Sequence, residues 1–137
     1  MTGEASWNVQ RAVYSALTGA SALTALLADG ASSVYDDVPE NATFPYITLG
    51  EGFADAWEEK DNVGQEHDLT IHTWSRYEGF KECKQIMQAI YDALNRVALT
   101  VTGQDVMDCR VTFAHFMRDP DGETRHGVQR VLVYTSE

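Results

Sequence analysis

The stretch His67-Asp68-Leu69-Thr70-Ile71-His72-Thr73-Trp74 alternates residue by residue, and it decides how the rest of the chain is read. A strand points successive side chains to opposite sides, so His67, Leu69, Ile71 and Thr73 share one face while Asp68, Thr70, His72 and Trp74 share the other. After a short break, residues 79–97 place Phe80, Cys83, Met87, Ile90, Leu94 and Val97 on one stripe, with Ile86 and Tyr91 beside it. That spacing predicts an amphipathic helix. A two-faced strand followed by a one-faced helix predicts a helix layered on a sheet.

Upstream, Val34-Tyr35 is short and apolar, and Pro39 and Pro45 bracket a loop. A strand is expected from Tyr46 to about Ala56, with Gly50 and Gly52 marking a bulge or twist. Asp55 to Glu66 is acid-rich, with turn formers Asn62 and Gly64, and reads as a long mobile hairpin tip. Trp57 within it is either folded back onto the domain or held for a partner. Downstream, Arg110–Met117 and Gly127–Tyr134 form a hairpin around the turn that contains Asp119, Pro120, Asp121 and Gly122.

At the start of the chain, Val9, Val13, Ala16, Leu17, Ala20, Leu23 and Leu27 recur at helical spacing from Ser6, a candidate N-cap. A break is expected near Gly19 and a stop at Asp29-Gly30. The order of elements gives an α+β domain over residues 1–137. Its sheet is mainly antiparallel with about four strands, and two main helices pack on one face. The uncovered face is expected to carry His72 and Trp74, with Thr112, Ala114 and Phe116, or Gln129, Val131 and Val133. That set is apolar enough to want a second subunit as cover. The alternatives are a sheet that curls on itself or a register slipped by one residue.

The chain has 137 residues, 44% of them hydrophobic, enough for one core. Ten basic against 21 acidic residues give a formal charge of -11. Such a balance opposes a general grip on nucleic acid or anionic membranes. Cys83 and Cys109 have no metal-like spacing and read as reduced, packed thiols, consistent with a cytosolic folding compartment. Neither a signal peptide nor a membrane span is visible, so the chain reads as soluble and not exported.

No catalytic chemistry is indicated. His67, His72, His115 and His126 lack metal-ligand spacing, and the first two fall on opposite faces of one strand. Asp119-Pro120-Asp121-Gly122-Glu123 has its glycine too early for a calcium loop. Ser75 sits in no nucleophile elbow, and Gly50-Glu51-Gly52 is not followed by a helix start that would cradle phosphate. The aromatic residues lack the basic groove of a base-stacking platform. Neither cofactor nor metal is expected.

The order Val34-Tyr35-Asp36-Asp37-Val38-Pro39, then Phe44-Pro45-Tyr46-Ile47-Thr48-Leu49-Gly50-Glu51, then Trp57, then His67 through Tyr77 resembles the tail completion, or tail terminator, family of long-tailed phages and gene transfer agents. The resemblance continues through Gly79, Lys84, Ile90-Tyr91-Asp92-Ala93-Leu94, Arg118-Asp119-Pro120-Asp121-Gly122 and His126-Gly127-Val128. It implies a virion protein, assembled in the bacterial host cytoplasm, that forms a homo-hexameric ring on the head-proximal end of the tail tube. Such a ring ends tube growth and faces the head-tail connector. The implied partners are itself, the tail tube protein and connector proteins, with DNA only passing through the lumen and no membrane.

Candidate subunit, tail or connector contacts are Trp57, Glu58, Glu59, Asp61, His72, Trp74, Arg76, Tyr77, Phe116, Asp119, Asp121 and Arg125. One ring patch is expected on the sheet face around Trp74 and Phe116, with the second on the opposite flank. Acidic residues lining the lumen would repel the passing DNA. A head-side completion ring protein is the rival within the class. An enzyme or ligand-binding domain using a pocket between helix 79–97 and the sheet is the rival outside it.

Overall fold

A computed structural model describes residues 3–59 and 62–136. Three helices, α1 (Gly3–Thr18), α2 (Ser21–Thr24) and α3 (Lys81–Leu94), accompany five strands. The strands are β1 (Val34–Tyr35), β2 (Tyr46–Glu59), β3 (Asn62–Ser75), β4 (Asp105–Arg118) and β5 (Arg125–Ser136). They form one sheet in the order β1-β2-β3-β5-β4. Only the two-residue β1 runs parallel to its neighbour; every other pairing is antiparallel. The α+β reading holds, with this small parallel edge strand as the addition.

The alternation of β3 is preserved. Ile71, Thr73 and Ser75 are fully buried on the face that meets the helices, whereas His72 and Trp74 on the other face are only half buried. Helix α3 presents Cys83, Ile86, Met87, Ile90 and Leu94, all buried, as one apolar stripe. Ile86, Ile90 and Leu94 of this stripe join Val9, Val13 and Leu17 of α1 and Ile47, Ile71, Val131 and Val133 of the strands in one core cluster. Fully burying each such aliphatic side chain contributes about 1.5–3 kcal/mol before conformational entropy is charged against it.

The N-terminal helix breaks at Gly19 as its sequence predicts, but α1 already begins at Gly3, which puts Ser6 inside the helix instead of at its cap. Residues 55–66 continue the β2–β3 hairpin, pairing from Asp55↔Glu66 to Glu59↔Asn62, and Gly64, Gln65 and Glu66 pair on their other side with Ser136, Thr135 and Tyr134 of β5. Whether the turn is mobile concerns residues 60 and 61, which lie outside the described residues.

A second correction concerns β5. Its buried residues include Gln129, Val131 and Val133, so these face the helices, while His126, Val128, Arg130, Leu132 and Tyr134 share the open face with Trp74. The one-residue alternative was the true one for this strand, and its cause is the pairing with β3, which sets Trp74 opposite His126. Phe116 pairs with Gly127 and therefore lies on the helix side, opposite in face to Trp74. The ring patch expected around Trp74 and Phe116 is thus two separate surfaces.

Two glycines permit close approaches, one between neighbouring strands and one between the sheet and α3. At the β2 bulge between Leu49 and Gly52, a Cβ on Gly52 would overlap the carbonyl oxygen of Asp68. On β5, a Cβ on Gly127 would overlap the Met87 sulfur and sit 3.0 Å from the Cys83 sulfur. Gly52→Ala meets rigid backbone and is expected to cost about 1–3 kcal/mol. Gly127→Ala meets flexible Met87 and is expected to cost less. Urea unfolding of both variants checks the order, and equal or inverted losses would contradict it.

Candidate interaction surface

The open face near the β2 start and β3 end carries a stacked cluster. The Trp74 and His126 rings lie 3.8 Å apart between centroids and 10° from parallel, an offspring of their direct pairing across β3 and β5. His72 stacks beside them, at 5.9 Å from Trp74 and 4.9 Å from His126. Tyr46 extends the row from β2 at 6.4 Å, followed by Phe44 and Tyr35. Trp74 Nε1 donates to Thr48 Oγ1 at 3.1 Å, which satisfies the indole on a sheet face. The Arg76 guanidinium lies 4.1 Å above the Phe44 ring, and its Nε donates to Thr124 Oγ1 at 3.3 Å.

The imidazoles are chained to carboxylates. His72 Nδ1 is 2.7 Å from His126 Nε2, His72 Nε2 is 3.1 Å from Glu51 Oε1, and His126 Nδ1 is 3.7 Å from Asp119 Oδ1. The short nitrogen to nitrogen contact holds one proton, since two N–H groups would point head to head. With both rings neutral, the second proton lies on one of the two outward nitrogens, those that face Glu51 and Asp119.

Burial, followed by the charge of His72, pushes His126 below the ordinary histidine range. Glu51 is held below the usual carboxylate range, first by a hydrogen bond to its own backbone and then, against the opposing effect of desolvation, by His72 and His126. The two imidazole nitrogens that face each other leave no common point for a cation, and no group of three metal-ligating side chains occurs among the described residues.

The other expected contact residues fall in different places. Trp57, Glu58 and Glu59 form the last rungs of β2, opposite Gly64, Val63 and Asn62; Asp61 lies outside the described residues. Tyr77 is 52% exposed, on a loop whose start is fixed by Ser75 Oγ, which donates to Glu82 Oε1 at 2.7 Å and accepts from Tyr77 N at 3.2 Å. Asp121 is occupied within its own turn: its Oδ1 accepts from Glu123 N and Thr124 N, and its Oδ2 from Thr124 Oγ1. Those bonds pull its carboxyl down to about 2. Arg125 is buried and donates to the Glu123 carbonyl at 2.8 Å.

Sequence reading had not placed Glu51, Thr48, Tyr46, Phe44 or His126 in this cluster. The signal for His126 was a rung number, which needs the partner strand.

Both cysteines are buried, and burial pushes their thiols up to about 11, so they stay protonated and unreactive at neutral pH. His67, on the helix side, is 2% exposed and is likewise pushed down by burial.

Residues 11–136 match the family described as tail completion protein gp17. The chain is 25% identical over 88 residues to the tail completion protein gp17 of Bacillus phage SPP1, which covers 64% of this chain and 65% of that protein. The match therefore spans slightly under two thirds of the relative's length. In fold, the chain is similar to one in the virion of a native gene transfer agent particle, with a TM-score of 0.88, 23% identity, and coverage of 99% of this chain and 100% of that chain. That likeness is one of fold.

The lowered His126 gives a pH prediction. Above the unfolded histidine value of 6.5 both states are neutral and the group is silent. As pH falls below it the unfolded chain takes the proton first, so this histidine's share of stability is lost. His126→Gln removes that loss. The melting temperature of the variant minus that of the wild type should rise between pH 7.5 and 5.5; a difference that stays flat or falls would contradict the assignment. Taking the difference removes the separate effect of neutralising carboxylates across this acidic chain.

Proposed function

From the match over residues 11–136, the chain belongs to the tail completion protein gp17 family, and on that premise we propose that it caps the head-proximal end of a tail tube as a ring of copies. Members of this family are structural tail proteins, not enzymes. The proposed mechanism is binding and capping: the ring seats on the last turn of the tube, stops further subunits from adding, and offers its other side to the head connector. Residues 1–137 act as one domain in this reading. Its place is the virion tail, with DNA passing through the lumen past acidic side chains that repel it.

The observation that carries the reading, beside the family, is the open sheet face. It bears Tyr46, His72, Trp74 and His126, half buried and stacked, with Phe53 at 47% and Phe113 at 44% exposure further along. A fixed aromatic surface binds with little ordering cost, because the rings are already held by their neighbours. Repetition around a ring then adds many weak contacts through effective concentration. Tyr77, Trp57, Glu58 and Glu59, on the loop and hairpin beside that face, are proposed contacts to tube or connector.

The pocket expected by an enzyme reading, between α3 and the sheet, is filled by Cys83, Ile86, Met87 and Ile90. A head-side completion ring has the same physical requirements and is separated by its partner. Purified chain mixed with tail tube subunits, imaged by electron microscopy, should give rings at one end of length-limited tubes. Binding only to portal or adaptor rings would transfer the role to the head side. Trp74→Ala is expected to keep the fold yet lower tube-end occupancy at least tenfold; unchanged occupancy would remove the open face from the contact.

A further inference from the structure

We infer that neighbouring copies join by sheet extension, the open edge of β4 in one copy lying along the open outer edge of β2 in the next. This rests on the ring reading above and names the two surfaces it needs.

The sheet has two unlike ends. At one, the chain leaving α3 covers part of β4: Arg96 N donates to the Cys109 carbonyl at 2.7 Å, and Asn95 Oδ1 accepts from Val111 N at 3.1 Å. Beyond that point β4 has no strand on its outer side, and Thr112 through Phe116 are exposed on both faces. Phe113 and Phe116 are 44% and 39% exposed. A bare strand edge with two phenylalanines is a liability in water unless something covers it. The charge here is basic: Arg118 is exposed, and Lys84 Nζ sits 4.6 Å from the centre of the Phe116 ring. Neither has an ion-pair partner among the described residues.

At the other end β1 pairs only with Ile47 and Thr48, so among the described residues β2 has no strand on its outer side from Leu49 onward. There the exposed charges are mainly acidic: Glu51 and Asp55 on β2, and Asp36 and Asp37 just after β1, with Arg11 of α1 the base beside them. Beside them a groove of about 440 Å³ opens between α1 and β1, flanked by the exposed Trp7 and Tyr14.

Charge complementarity selects the occupant. With a net charge of -11, two copies repel in most orientations, and the approach of the basic β4 edge to the acidic β2 edge is the one that offsets this. Thr112–Arg118 spans about 23 Å at about 3.3 Å per residue, and the open edge of β2 from Leu49 is long enough to take it. Both edges carry a bulge, between Val111 and Phe113 and between Leu49 and Gly52, which pins the register and discourages indiscriminate pairing. Unlike edges make a heterologous contact, so association proceeds past a dimer until it closes.

The test uses two charge reversals in the full chain, Asp37→Lys with Asp55→Lys, and Lys84→Glu with Arg118→Glu. Native mass spectrometry and electron microscopy score rings, free and on tail tubes. Each reversal alone should lower the ring population at least tenfold, because both edges then carry one sign. An equimolar mixture should restore rings of alternating copies, since each reversed edge then meets the other variant's reversed edge of opposite sign, and each native edge meets a native one. If a reversal unfolds the chain by circular dichroism, Asp55→Asn and Arg118→Gln carry the same test, with ring dissociation at lower salt than wild type expected.

Rings indifferent to the substitutions, or no restoration on mixing folded variants, overturn the edge pairing and leave capping intact. A wild-type chain that forms no ring even on tubes overturns both.

Discussion

The register of β3 against β5, from Gly64↔Ser136 to Ser75↔Arg125, is the constraint on which the other features depend. β3 is the middle strand, bonded to β2 on one side and β5 on the other, so each of its residues has a fixed neighbour in both directions. This register places Ile71, Val131 and Val133 under the helices, where they are fully buried. It also sets Gly127 beneath Cys83 and Met87, letting α3 approach β5 closely enough for Gln129 to donate to the Met87 carbonyl at 3.0 Å. A slip of one residue would expose the apolar set and bury Trp74 and His72 against α3.

The open face follows from the same pairing, and its order is electrostatic as well as steric. Stacked rings alone would tolerate some sliding. The bond from Trp74 to Thr48, the proton held between His72 and His126, and the flanking Glu51 and Asp119 tie β2, β3, β5 and the β4–β5 turn to one another. Gly50 is part of this arrangement, since a Cβ there would lie 3.2 Å from the His72 ring. The bulge that admits two glycines into β2 therefore both bends the strand and makes room for the histidine.

The parts of the fold legible in sequence were those written locally. The alternation in β3, the stripe of α3, the break at Gly19 and the bulge between Gly50 and Gly52 all depend on near neighbours in the chain. What was not legible required knowing a distant rung. The face of β5 came out reversed because Gln129, Val131 and Val133 alternate with Val128, Arg130 and Leu132, a pattern nearly as apolar on either side until β3 fixes it. Phe116 separated from Trp74 for the same reason. Asp121 and Arg125 look like surface contacts in sequence, yet their hydrogen-bonding capacity is directed into the turn and its flank. The candidate cluster was half legible: His72 and Trp74 share a strand, whereas His126 joins them from 52 positions after Trp74.

On the ring reading, the acidity of the chain bears on when assembly occurs. Long-range repulsion between copies acts over about 8 Å at physiological salt, whereas hydrogen bonds along a strand edge act only at contact. Free copies must cross the repulsive zone before any edge bond forms. A tube end that binds several copies by their open faces raises their local concentration and orients their edges toward each other. The stacked face and the unlike edges would then have successive roles, the first gathering copies at the tube end and the second closing the circle. Such an order confines ring closure to a finished tube, which is what a capping protein requires if it is not to deplete itself into free rings.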